Sequence, residues 1–205
     1  MLTARNPDRT REALLQAAFE EIHRHGFQAA SLSRILIKAG VTKGALYHHF
    51  PSKIALGYAV VEEVILPQKL AEWVAPMQTS DDPLPIFRQL LQRAGEELCA
   101  DPERILLGCP LNNLAQEMSP IDEGFRQRLN AIFALWQQSL TAALQRGQAA
   151  GTVRAEVDAD AAAGFILAAI EGCIGMAKHA RAPELLMRCG GGLLQYLDSL
   201  RVNAR

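Results

Sequence analysis

Apolar residues recur along most of the chain at spacings of three and four, the period of a helix that buries one face. Strict alternation of apolar and polar positions never persists long enough to specify a strand. The pattern predicts an all-α fold of about nine helices and no sheet. The first helix covers roughly 8–25, with Ala13, Leu14, Ala17, Ala18 and Ile22 as its buried stripe, and Gly26 ends it. Ser31 caps a short second helix over 32–39, whose Leu32, Ile35 and Leu36 face inward. Gly40 stops that helix, and Thr42 caps a very short third one over 43–48. Ser52 then caps a long fourth helix that ends at Pro76 and the polar run 78–83. Pro67 should break or kink it, because proline removes a backbone donor and clashes with the preceding turn. Five further helices follow, over roughly 84–100, 110–118, 120–150, 158–181 and 183–201.

The first three helices carry the most specific signal. Two short helices joined by Ala39-Gly40-Val41-Thr42 form a helix-turn-helix, in which glycine takes the positive-φ turn at little cost. Val41 fills the corner and Leu46 plugs the third helix into the core. The solvent face of that helix then holds Lys43, Gly44, Ala45, Tyr47 and His48. Lys43 suits guanine acceptors or a phosphate, Gly44 allows close backbone approach, and Ala45 suits a thymine methyl. The Tyr47 hydroxyl suits a phosphate oxygen. Ser33 and Arg34 start the second helix and Lys53 starts the fourth, where exposed N–H groups already favour an anion. Phe50 is expected in the core. Adjacent His48 and His49 point ~100° apart on a helix and make no metal pair.

Charge sharpens this picture. The 205-residue chain has a net charge of −1, which announces no nucleic-acid partner. Residues 1–53, however, carry eight Lys/Arg (Arg5 among them) against four acids, and the rest carry thirteen against eighteen. A basic head on an acidic body points to a polyanion partner for the head. No apolar leader segment opens the sequence, and no apolar run reads as a membrane span. Cys99, Cys109, Cys173 and Cys189 have neither zinc nor disulfide-framework spacing, so a cytoplasmic chain with reduced thiols, no metal and no cofactor is expected.

The segment Ser31-Leu-Ser-Arg-Ile-Leu-Ile-Lys-Ala-Gly-Val-Thr-Lys-Gly-Ala-Leu-Tyr-His-His-Phe50-Pro-Ser-Lys53 resembles the DNA-binding signature of the TetR family, and Thr10–Phe19 and Gly26-Phe27 fit it too. The resemblance covers residues 8–60. It implies an all-α homodimer, regulator rather than enzyme, with a DNA-reading head and a C-terminal effector domain. DNA-contacting positions of the family fall on Ser33, Thr42, Lys43, Gly44, Ala45, Tyr47, His48 and Lys53. The expected division is a head over 1–53, linked through a helix over 54–76 to a ligand-binding and dimerisation body over 54–205. The partners implied are a palindromic double-stranded DNA operator and a small-molecule effector that releases a repressor from it.

The body is less specific. Pro110 suits a first helical position, which puts Cys109 at a helix cap, where a thiol gains reactivity. The Gly108-Cys109-Pro110-Leu111 stretch resembles a TetR subgroup that includes electrophile- and oxidant-sensing repressors, so a Cys109 thiol sensor stands beside a reversible ligand as a second reading. Two rival classes remain open: an architectural DNA-binding or interaction protein without an effector, and a thiol enzyme, whose one body histidine would be His179. Candidate pocket walls are Trp73, Met77, Phe87, Leu91, Phe125, Leu129, Phe133, Trp136 and Met176, with Asn112, Asn113, Gln116, Gln137 and Glu171 as polar groups. Such walls suit an apolar or aromatic effector. The last two helices are apolar on several faces, with small residues and Gly190-Gly191-Gly192. They predict a two-fold bundle through Phe165, Ile166, Ile170, Cys173, Leu193 and Leu197.

Overall fold

The structure is a computed structural model that describes residues 7–202; Arg5, counted in the basic head, lies outside them. Local chemistry sets the first elements. Helix α1 runs Pro7–His25, α2 Leu32–Ala39 and α3 Lys43–His49. Ser31 caps α2 by accepting the Arg34 N–H, Thr42 caps α3 by accepting that of Ala45, and Ser52 caps α4 (Lys53–Val60) by accepting that of Ala55. Gly40 ends α2 in the left-handed region, at φ 63°, so that the Val41 N–H reaches back to the Leu36 carbonyl at 3.1 Å.

Pro67 does not end the helical path. A π turn over Val61–Ile65 precedes α5 (Leu66–Lys69), a second over Leu70–Val74 follows it, and a 3₁₀ turn closes at Ala75–Gln78. In the π turns each N–H reaches one residue further back, as from Leu66 to Val61 and from Ala75 to Leu70. The wider turns beside the proline absorb the missing donor and the ring, where the sequence suggested a break or a kink.

The remaining helices are α6 (Pro83–Ala100), α7 (Pro102–Leu107), α8 (Pro110–Met118), α9 (Glu123–Ala149), α10 (Ala159–Ala180) and α11 (Pro183–Ser199). All but α7 match the periodicity. Six residues are too short to show a period, and α7 rests on its Asp101 cap and Pro102. Among the described residues there is no strand, only an isolated antiparallel bridge between Val153 and Arg201. By length and composition α10 is apolar enough to cross a membrane, contrary to the expectation from sequence. It packs against α7 and α11, and its Ala163, Ile166 and Ile170 are buried within the chain, the mark of a core helix.

The chain divides into two compact units. Of the described residues, one comprises 7–68 together with 110–131, and the other 69–109 with 132–202. The first therefore includes α8, which sequence alone assigns wholly to the body. Its core joins Leu14, Ala18, Ile35, Leu46, Phe50 and Leu56 to Phe125. Phe125 meets Phe27 edge-on at 4.7 Å and Tyr58 at 4.9 Å between ring centres. A Cβ on Gly57 would fall 2.5 Å from Phe27 and 2.6 Å from Phe125, so this crossing requires glycine. In the second unit Met77, Phe87, Trp136, Leu140, Leu193 and Leu197 form the buried core.

Candidate nucleic-acid interface and ligand-binding residues

The α2–turn–α3 segment leaves one polar face bare. Leu46 and Phe50 are buried, while Ser33, Arg34, Thr42, Lys43, Gly44, Tyr47 and His48 are exposed and Ala45 is half-buried. The Lys43 ammonium stands 5.9 Å from the centre of the Tyr47 ring, one turn along the same face. A Cβ on Gly44 would meet nothing closer than Thr42 Oγ1 at 3.9 Å, so no neighbour within the chain requires glycine there. The face presents a cation, an aromatic hydroxyl, an imidazole and uncovered backbone, a set suited to phosphates and base edges.

Two predicted contact residues are engaged inside the head. The Arg34 guanidinium donates from Nε to Glu21 at 2.7 Å and pairs with it through Nη2 at 2.6 Å. Glu21 also accepts the Ser31 N–H at 2.8 Å. Burial acts to raise this carboxyl, and the hydrogen bonds from Arg34 and Ser31 outweigh it, leaving Glu21 below its ordinary value. Lys53 is half-buried. Its Nζ donates to the Gln28 carbonyl at 3.0 Å and lies 5.0 Å from the centre of the Phe27 ring. Burial lowers its pKa, against the pull of Glu117 and Glu21.

Glu117, on α8, carries no signal in the sequence. Its carboxylate accepts the Phe27 N–H at 2.7 Å and the Gln28 N–H at 2.8 Å, clamping the turn after α1. Tyr58 donates to Asp122 at 2.8 Å in the same unit, and that hydrogen bond raises the phenol. Glu117 stands 90 and 89 positions from its two partners, and no local pattern links them.

In the second unit Trp73 and Trp136 are buried with ring centres 5.0 Å apart. The Lys69 ammonium lies 5.5 Å from the Trp136 ring centre. Glu171 is buried, and burial raises its carboxyl; the Cys109 thiol and the Lys69 charge pull the other way without cancelling it. Trp73, Trp136, Lys69, Glu171 and Cys109 are thus linked one to the next, through a lysine to which no sequence pattern points. Phe87 is buried and Phe133 half-buried in the same unit. Asn112, Asn113 and Gln116 belong instead to the first unit, where Gln116 reaches Asn112 at 3.5 Å. Phe125 and Leu129, two expected pocket walls, are buried in that unit too. Among the described residues no group of three His, Cys, Asp or Glu side chains is placed to hold a metal.

Of the expected dimer residues, Ile166, Ile170, Leu193 and Leu197 are buried inside the chain and Cys173 is half-buried. Phe165 is 53% exposed, Met176 54% and Met187 56%. The Phe165 ring meets Tyr196 edge-on at 4.6 Å.

A capped three-helix head with an open basic–aromatic face, in an otherwise helical chain, defines a helix-turn-helix DNA-binding regulator. Residues 14–60 match the family of bacterial regulatory proteins called the tetR family, and residues 83–190 match the tetracyclin repressor-like C-terminal domain. The transcriptional regulator AcuR of Cereibacter sphaeroides is 30% identical over 85% of this chain and 79% of its own length. A TetR-family regulator from Agrobacterium tumefaciens superposes with a TM-score of 0.81 at 25% identity, over 96% of this chain and all of the other. SmeT, the repressor of the Stenotrophomonas maltophilia multidrug efflux pump SmeDEF, was solved as a complex with triclosan. That complex has a TM-score of 0.75 at 27% identity, over 95% of this chain and 92% of SmeT. The chain belongs to the TetR family and is a DNA-binding transcriptional regulator.

Proposed function

We propose that the protein is a cytoplasmic homodimeric repressor that leaves a palindromic operator when a small apolar or aromatic effector binds its body. Residues 1–53 read DNA, and 54–205 sense the effector and dimerise, with α8 bracing the head through Glu117. The observation that carries the reading is the bare α3 face, on which Lys43, Gly44, Tyr47 and His48 are exposed around a half-buried Ala45 and Gly44 has no neighbour within the chain that requires glycine. Lys43 and His48 address the groove; Ser33, Thr42 and Tyr47 hold the backbone. Arg34 and Lys53 act chiefly by shaping the head, and each still offers its charge to a DNA phosphate.

Effector release is a population shift, and it requires the ligand to prefer the conformation that DNA does not. The bound triclosan in SmeT supports an aromatic effector for this fold. Dimerisation draws on Phe165, Met176 and Met187, whose exposed apolar surface adjoins glycines open to close approach. A Cβ on Gly172, Gly175, Gly190, Gly191 or Gly192 would meet nothing within 4 Å. Thiol sensing gains no support, because Cys109 is buried beside a carboxyl, whereas reactive thiols sit in partly exposed, electropositive surroundings.

Selection from random duplex DNA with the full chain tests the reading. Enrichment of an inverted repeat supports it, and recovery of unrelated sequences with no shared motif refutes it. Sedimentation at micromolar concentration is expected to give a dimer that Gly172→Trp converts to a folded monomer. A monomeric wild type would remove the dimer from the account.

A further inference from the structure

Three buried polar atoms in the second unit lack a hydrogen bond of ordinary geometry: Trp136 Nε1 and both carboxyl oxygens of Glu171, which has only the weak Cys109 thiol donor beside it. Trp136 is 1% exposed and Glu171 8%. Buried polar groups are almost always satisfied, and orphans mark an interaction still to be made. Lys69 relates the two residues, since its ammonium lies 5.5 Å from the Trp136 ring centre and its charge acts on Glu171. Trp73 supplies an aromatic wall alongside, 5.0 Å from Trp136.

The chemistry of the orphans specifies what completes them. An indole N–H only donates. The Glu171 carboxyl offers an acceptor oxygen in either protonation state, and burial, which raises it, favours the form that also donates. The unmet set is therefore an indole donor and a carboxyl that accepts, with a second donor where the carboxyl holds its proton. A carboxamide is its complement, since the carbonyl oxygen accepts twice and the N–H donates once. A cationic ligand would leave the indole N–H unmet and face the charge of Lys69. A carboxylate would offer no donor to the Glu171 carbonyl oxygen.

We propose that Glu171 and Trp136 are the polar anchors of the effector site, and that they take an uncharged, flat molecule bearing a carboxamide-type donor–acceptor group, stacked along the Trp73–Trp136 wall. The proposal rests on the reading that this unit binds a small-molecule effector, and it names that molecule's class.

Four one-ring probes separate the possibilities on the full chain: benzamide, benzylammonium, benzoate and toluene, titrated by calorimetry or ligand-observed NMR at pH 7. Benzamide is expected to bind about ten-fold tighter than each of the others, the scale of one or two satisfied buried hydrogen bonds. Glu171→Gln, which keeps a donor and an acceptor, should hold benzamide within about three-fold, whereas Glu171→Leu and Trp136→Phe should each weaken it about ten-fold while toluene binding is unchanged. Tightest binding by benzylammonium or benzoate overturns the proposal, as does loss of benzamide in Glu171→Gln or its retention in Glu171→Leu. Toluene binding as tightly as benzamide overturns the anchors and leaves an apolar effector site standing. Binding of none of the probes overturns the proposal, and only if a metabolite panel also fails to stabilise the protein or release DNA does the effector reading fall with it.

Discussion

Gly44→Ala separates a DNA-reading role from a packing role because the two predict opposite signs. Gly44 lies in the first turn of α3, and an added methyl group would have nothing nearer than 3.9 Å within the chain. Replacing a helical glycine by alanine where there is room gains about 0.5–1 kcal/mol, mostly by restricting the unfolded chain. In a chain of this size that is roughly 1–4 °C in melting temperature. Against DNA the same methyl stands where the backbone approaches a groove. Loss of a good groove contact costs on the order of 1–3 kcal/mol per head, or about 5–150-fold in affinity, and two heads in a dimer double the free energy. Thermal unfolding and an operator titration at fixed salt, run on the same preparation, read both effects. A higher melting temperature with weaker operator binding is the expected pair. A variant that melts higher and binds the operator as tightly as wild type would refute the groove approach at Gly44, and one that melts lower would refute the open space.

Gly57→Ala is the contrasting case. Its methyl would overlap Phe27 and Phe125, and overpacking of this kind destabilises by about 1–3 kcal/mol in a urea titration. Glu117→Ala uncaps the Phe27 and Gln28 amides, and it should cost about 1–3 kcal/mol and weaken DNA binding with it, with Glu117→Gln losing less. For Glu171, burial raises the folded-state pKa above the unfolded value of about 4.3, so the folded state holds the proton more tightly. Its contribution is fully present below about pH 4.3 and is lost as pH rises through the folded value. Urea stability measured from pH 4 upward should therefore fall more steeply in wild type than in Glu171→Gln, and parallel curves would show that the carboxyl is not held protonated.

What was legible in the sequence was local. Ser31, Gly40, Thr42 and Ser52 each act on backbone within a few residues, so the head's helices and its turn follow from reading along the chain. Periodicity placed most later helices as well, because an apolar face recurs whichever partner covers it. It does not say which partner. Ile166, Ile170, Leu193 and Leu197 had the pattern of an interface and are spent inside the chain, whereas Phe165 and Met176 on α10 remain open. Glu117 with Phe27 and Gln28, and Lys69 with Trp136 and Glu171, join residues far apart in sequence, where spacing carries no information. Lys53 and Arg34 read as cations at helix starts poised for DNA, and the backbone carbonyl and carboxylate that engage them appear only in three dimensions. Pro67 marked a break or a kink, and the chain answers with π turns on either side, a form of distortion that the sequence rule does not specify.

The most direct test of the central claim is base preference at Lys43. The inverted repeat recovered from random DNA with the wild-type chain is compared with that recovered with Lys43→Ala, each at two salt concentrations. If α3 reads the major groove, the variant selects a motif altered at one position in each half-site, with the rest of the repeat intact. An unchanged motif, bound with unchanged affinity and salt dependence, would contradict the assignment of this face as the reading surface.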